Sequence, residues 1–128
     1  MHESVGDLGE RAVIERLARM LPSRDDVIVG VGDDTAVVRT AGGADLLLTS
    51  DPVVEGTHFL PDTPPELVGR KAVGRSLSDI AAMGGDPLWA LLDLVAPPDT
   101  PVAWITALYD GAAALARASG LALVGGDT

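Results

Sequence analysis

The sequence predicts an α/β (α+β) domain in which a mixed β-sheet carries helices packed on one face. Short β-branched runs cluster in the first part of the chain, and helix-periodic segments then alternate with apolar, strand-like runs. The composition is 47% hydrophobic but only 3% aromatic, so Val, Leu, Ile and Ala must fill the core. At 128 residues a single domain is expected, removing about two-thirds of its unfolded surface from water.

The first helix is expected over 8–21, where Leu8, Val13, Ile14, Leu17, Ala18 and Leu21 recur at helical spacing, with Ser4 or Asp7 as cap and Pro22 as the stop. Three short strands follow at 27–31, 36–39 and 45–49, separated by the turn signals Gly-Asp-Asp and Ala-Gly-Gly. A second helix over 66–83 is introduced by Thr63 as cap, with Glu66 completing a capping box, and is closed by Gly84-Gly85. The run "LWALLDLV" reads as a buried strand. A third helix repeats the pattern, with Thr100 as cap, Pro101 in the first turn and Gly120 at the end. "LALVGGDT" is a last strand entering a glycine turn. That turn has nothing after it, so the chain is expected to be part of a longer protein.

Nine Lys and Arg stand against 19 Asp and Glu, a formal net charge of -10. This argues against a nucleic-acid backbone or an anionic membrane as direct partner, and any phosphate ligand would need a metal to mediate. Without Cys there is no disulfide, thiolate metal site or cysteine nucleophile, which fits a reducing cytoplasm. The N-terminal stretch has no apolar run long enough for a signal peptide or membrane span.

Several acids share one setting, just past an apolar strand or beside a glycine. Asp33 and Asp34 follow the first strand, Thr49, Ser50 and Asp51 follow the third, Asp127 follows the last, and Asp79 lies late in the second helix. Mg²⁺ takes oxygen ligands, one or two carboxylates with waters and phosphates, so acids meeting from these places could hold such an ion. Each also has a plainer reading. Asp33 and Asp34 suit a turn; Thr49, Ser50 and Asp51 suit a polar strand end; Asp79, one helical turn after Arg75, suits a surface ion pair; Asp127 suits a frayed end. His58 has no Cys or second His nearby for zinc, and Glu55 reads as a solvated acid. "GVGDDT" has Thr35 where a dinucleotide fingerprint needs its third glycine, and no glycine loop is followed by Lys-Ser/Thr, so neither standard phosphate cradle is present.

Taken in order, "GVGDDTAVV", "LLLTSDPVVEGTHFL", "GRKAVGRSLSDIAAMGGDPLWALLDL" and "LALVGGDT" resemble the amino-terminal half of the thiamine-monophosphate kinase family. The stretch from Ser78 to Pro87 also resembles the wider aminoimidazole-ribonucleotide synthetase superfamily, and "VEGTHF" favours the kinase within it. The resemblance implies transfer of the γ-phosphoryl of ATP to thiamine monophosphate, giving thiamine diphosphate, with several Mg²⁺ ions held by aspartates. Asp34, Thr49, Ser50, Asp51, Asp79 and Asp127 then match metal ligands, Gly126 with Asp127 a nucleotide contact, and His58 a substrate contact. Asp33 stands beside them as an outer partner. In-line transfer suits a site that positions and neutralises, and no general base is named. The resemblance further implies a cytoplasmic homodimer joined through its sheets, and a second, carboxy-terminal domain absent from these 128 residues, so that the chain alone is expected not to turn over ATP. The competing expectations are another ATP-dependent synthetase of the superfamily and a non-catalytic nucleotide-binding or dimerisation module.

Overall fold

The computed structural model describes residues 2–128. The chain divides into two units, Met1–Thr49 and Ser50–Thr128.

In the first unit the expected single helix is two: α1 (Val5–Leu8) and α2 (Glu10–Ala18). Ser4 is the cap, and Asp7 completes the box from the opposite side: Ser4 Oγ accepts from Asp7 N at 3.2 Å, and the Asp7 carboxylate accepts from Ser4 N at 2.9 Å. The Ser4 hydroxyl, which donates to Asp7 Oδ2 at 2.6 Å, and the Ser4 N–H hold the Asp7 carboxyl below its ordinary range. Gly9, with φ of 84°, breaks the helical path between the two segments, a conformation that periodicity alone does not reveal. α2 stops at Ala18, short of Pro22.

Strands β1 (Val27–Val29), β2 (Ala36–Arg39) and β3 (Asp45–Leu48) form an antiparallel sheet in that order. Ala36 faces Leu48 and Arg39 faces Asp45, so the register carries the exposed Arg39–Asp45 ion pair at 3.0 Å, which contributes roughly 0–1 kcal/mol. Val37 and Thr35 are the buried positions of this unit.

The second unit holds the long helices α3 (Pro65–Ala82) and α4 (Val102–Ala118) and the parallel strands β4 (Trp89–Leu91) and β5 (Ala122–Gly125). Both helices end as the glycines predict. Gly84 N bonds Ala81 O and Gly85 N bonds Ile80 O, both at 3.0 Å; Gly120 N bonds Arg117 O and Leu121 N bonds Ala116 O, the paired closure of a Schellman motif. Their starts differ from expectation. Thr63 and Thr100 each stand one residue too early, because Pro64 and Pro101 occupy the cap positions in extended conformation and offer no side-chain acceptor. The Thr63 hydroxyl accepts from Leu60 N instead, at 3.2 Å.

The helices cross with their backbones almost touching. A Cβ on Gly69 would lie 1.9 Å from the Leu108 carbonyl oxygen, and one on Gly111 would lie 1.9 Å from that of Glu66. Below the crossing, Val73, Ala112, Ala116 and Leu121 form the core, with Ala90, Leu92 and Leu123 of the strand region packed against it. Val73 and Leu121 there contribute about 1.5–3 kcal/mol each. The helices thus cover one face of β4–β5, and the α/β class holds with antiparallel and parallel pairings in separate sheets. The run "LWALLDLV" is not the buried strand expected. Ala90 points to the core, while Trp89 and Leu91 stand on the other face, 64% and 71% exposed. Among the described residues no helix is long and apolar enough to cross a membrane.

Candidate functional site

Three groups of the predicted residues come into view. In the first unit, Asp33 Oδ1 accepts from the adjacent Asp34 N at 2.8 Å. Asp34 is exposed, and its carbonyl accepts from Thr49 Oγ1 at 3.4 Å, so the structure brings Thr49 and Asp34 together. Thr35 beside them is 2% exposed, and its hydroxyl has no hydrogen-bond partner among the described residues.

In the second unit Ser50 is exposed and Asp51 is half-buried. Asp51 shares a hydrogen bond with Asp79, reaching from the chain after β3 to the last turns of α3. Two carboxylates can share such a bond only through a proton, so the Asp79 contact pushes the Asp51 carboxyl above its ordinary range, with burial and the Asp79 charge acting in the same direction. The Arg75 and His58 charges oppose it. Arg75 lies 3.9 Å from Asp51 and donates to the Pro52 carbonyl at 3.0 Å, so it ties down the Asp51 segment.

A pH dependence follows from this shift. The folded chain holds the Asp51 proton more tightly than the unfolded chain, so stability falls as pH rises from the ordinary carboxylate value, near 3.8, through the raised one. In chelator-treated protein, melting curves of Asp51→Asn and the parent are expected to diverge across that weakly acidic window, the variant gaining relative stability as pH rises. Parallel curves would contradict the shift.

His58 is partly buried on the loop from Ser50 to the start of α3. Its Nδ1 accepts from Val54 N at 2.8 Å, and its own N–H donates to Val54 O at 2.8 Å. Lys71 Nζ donates to the His58 carbonyl.

The third group lies past the carboxyl ends of the parallel pair. Leu92 N bonds Gly125 O at 3.0 Å and Leu94 N bonds Asp127 O at 2.7 Å, so the pairing runs on beyond β4 and β5. Asp127 N donates to Asp93 Oδ1 at 2.8 Å. Asp127 is therefore anchored and not frayed. Gly126 permits this approach: a Cβ there would meet the Leu92 carbonyl oxygen at 1.9 Å. Asp93 is the residue the sequence reading missed. Its signal was a lone acid at the end of an apolar run, where ligands of parallel sheets commonly bind.

Asp51 and Asp79 thus meet, Thr49 meets Asp34, and Asp127 meets Asp93. Among the described residues no three His, Asp or Glu side chains form a group able to hold a metal ion by themselves.

A family model, AIR synthase related protein, N-terminal domain, matches residues 32–128. The chain belongs to this family. Over 121 residues it is 40% identical to the thiamine-monophosphate kinase of Escherichia coli strain K12, covering 94% of this chain and 37% of that protein. A solved structure described as "AaThiL complexed with AMPPCP and TMP" superposes with a TM-score of 0.89 at 36% identity, over 99% of this chain and 39% of that one. The crystal structure of thiamine-monophosphate kinase from Stenotrophomonas maltophilia K279a gives a TM-score of 0.64 at 41% identity, over 94% of this chain and 38% of that one. The chain therefore spans a little over a third of the relatives it matches. Both helix closures and the Asp127 turn lie inside the region shared with the AIR synthase family.

The donor set suits a hard divalent cation. Asp51 and Asp79 offer only oxygen ligands and stand within hydrogen-bond reach of each other, a donor set of the kind Mg²⁺ takes.

Proposed function

We propose that this chain is the amino-terminal, ATP- and Mg²⁺-binding part of a kinase that phosphorylates thiamine monophosphate to thiamine diphosphate. The single observation that carries the reading is the Asp51–Asp79 carboxylate pair, whose shared hydrogen bond raises the Asp51 pKa. Beside it stands the relative complexed with AMPPCP, which mimics ATP, and TMP, here read as thiamine monophosphate. When bound, Mg²⁺ would supply charge neutralisation for the phosphates, a need set by the formal charge of -10 on the protein itself.

Asp51 and Asp79 would hold that ion. Asp34, Thr49, Ser50 and Asp127 are assigned metal contacts, and Gly126 with Asp127 a nucleotide contact, on the family resemblance. Gly126 is exposed just past the end of β5, a place that suits the nucleotide role. His58 is assigned to thiamine monophosphate. Its fixed ring can orient that substrate, while phosphoryl transfer itself rests on positioning and electrostatics.

The reading extends to a cytoplasmic homodimer joined through its sheets. The free face of β4–β5, with Trp89, Leu91 and Val124 exposed, supports such a contact, and the absence of Cys suits a reducing compartment. Titration calorimetry of the 128-residue chain with MgATP and with thiamine monophosphate tests the binding roles. Saturable heat with both is expected. A chain that binds neither would leave only a scaffold.

A further inference from the structure

The loop that carries Asp51 and His58 contains no helix or strand, yet it is tied at several points. Val54 and His58 exchange two bonds, Val54 N to His58 Nδ1 and His58 N to Val54 O, each 2.8 Å. Gly56 N reaches Phe59 O at 2.7 Å and closes the turn between them. Two cations on one face of α3, a helical turn apart, then clasp the loop from outside: Lys71 on the His58 carbonyl and Arg75 on the Pro52 carbonyl.

This arrangement decides which nitrogen of His58 faces a ligand. A neutral imidazole has one donor and one acceptor nitrogen. Nδ1 is committed as acceptor to the Val54 N–H, so the ring proton resides on Nε2. Nε2 can then only donate. To accept a proton or ligate a metal through Nε2, the ring would have to move its proton to Nδ1 and break the Val54 bond.

We infer that Lys71 is a positioning residue: by holding the His58 carbonyl it keeps the Val54–His58 exchange closed, so that His58 meets its ligand as a fixed Nε2–H donor. The ligand atom it selects is a hydrogen-bond acceptor, such as a phosphate oxygen or an unprotonated ring nitrogen, and not a group that can only donate, such as an ammonium. The selectivity part of the inference rests on His58 being the thiamine-monophosphate contact; the clasp itself does not.

The test uses the 128-residue chain, with ring ¹⁵N–¹H correlation spectra recorded where imidazole is neutral and amide exchange followed at Val54. A pyrrole-type Nε2, a hydrogen-bonded pyridine-type Nδ1 and a protected Val54 amide are expected in the parent and in Lys71→Arg. Lys71→Met is expected to lose the Val54 protection and the Nδ1 hydrogen-bond signature while its circular dichroism stays unchanged. Its affinity for thiamine monophosphate should fall about tenfold, as for one misaligned hydrogen bond to a charged group, and return in Lys71→Arg. A proton on Nδ1 in the parent, or Val54 exchange indifferent to Lys71→Met, would overturn the inference. If the parent binds no thiamine monophosphate, the substrate assignment of His58 fails, and the spectra still decide whether Lys71 sets the ring.

Discussion

Gly69→Ala, like Gly111→Ala on the facing helix, is expected to be strongly destabilising. The added Cβ would sit 1.9 Å from the Leu108 carbonyl oxygen and 2.9 Å from Ala112 N, both backbone atoms of α4, so no side chain can swing aside. The helices must separate, and the core beneath them, Val73 against Ala112 and Ala116, separates too. Overpacking against side chains costs about 1–3 kcal/mol, and a clash of backbone against backbone should reach or pass the top of that range. A loss of about 3 kcal/mol corresponds to a melting temperature lower by roughly 12 °C or more in a unit of this size. The greater helix propensity of Ala offsets only about 1 kcal/mol of it. Gly74→Ala serves as the control on the same helix, because its Cβ would meet only Leu115 Cδ2, at 3.7 Å, an ordinary contact. Thermal denaturation of both variants checks the assignment; equal melting temperatures would show that the close crossing does not exist in solution.

The second large effect concerns divalent cations. An ion bound only by the folded chain stabilises it by RT ln(1 + [L]/Kd), about 2.7 kcal/mol at a hundredfold excess over Kd. Mg²⁺ or Mn²⁺ is therefore expected to raise the melting temperature of the parent, and Asp51→Asn with Asp79→Asn to abolish the rise. The two asparagines keep the size of the side chains and can still hydrogen-bond each other, so without metal the double variant should fold as well as the parent or better. It no longer carries the proton-sharing strain that raises the Asp51 pKa. An undiminished metal response in the double variant would move the site to other acids.

What the sequence made legible was what local chemistry decides. Gly84 and Gly120 close α3 and α4 because an αL closure needs a residue without Cβ, and that demand is visible from one position. Thr63 and Thr100 misled by a single residue, since the prolines after them took the cap positions. Gly9 was hidden because a helical period of apolar residues continues across it. Contacts set by tertiary approach were not legible. Nothing in the spacing of Gly69 and Gly111 says that they face each other's helix. The apolar run through Trp89 and Leu91 shows hydrophobicity without showing which face is covered.

The candidate site divides in the same way. Asp51, Asp79 and Asp127 were each nameable from their settings and His58 only through the family resemblance, yet their partners come from afar in the chain. Arg75 reaches back to Asp51 and Pro52, Lys71 to His58, and Asp127 to Asp93. The helix-spaced ion pair to Asp79 was the simplest reading for Arg75, and the guanidinium reaches Asp51 and the Pro52 carbonyl as well as lying one turn from Asp79.

The central claim is that Asp51 and Asp79 share a divalent cation once one is supplied. The most direct measurement is an anomalous difference map from crystals of the chain grown with Mn²⁺ and AMPPCP. A peak bonded to oxygens of both carboxylates, at metal–oxygen separations of about 2.1–2.2 Å, is the expected result. Anomalous signal elsewhere, with Asp51 and Asp79 still joined to each other by their hydrogen bond, would contradict it.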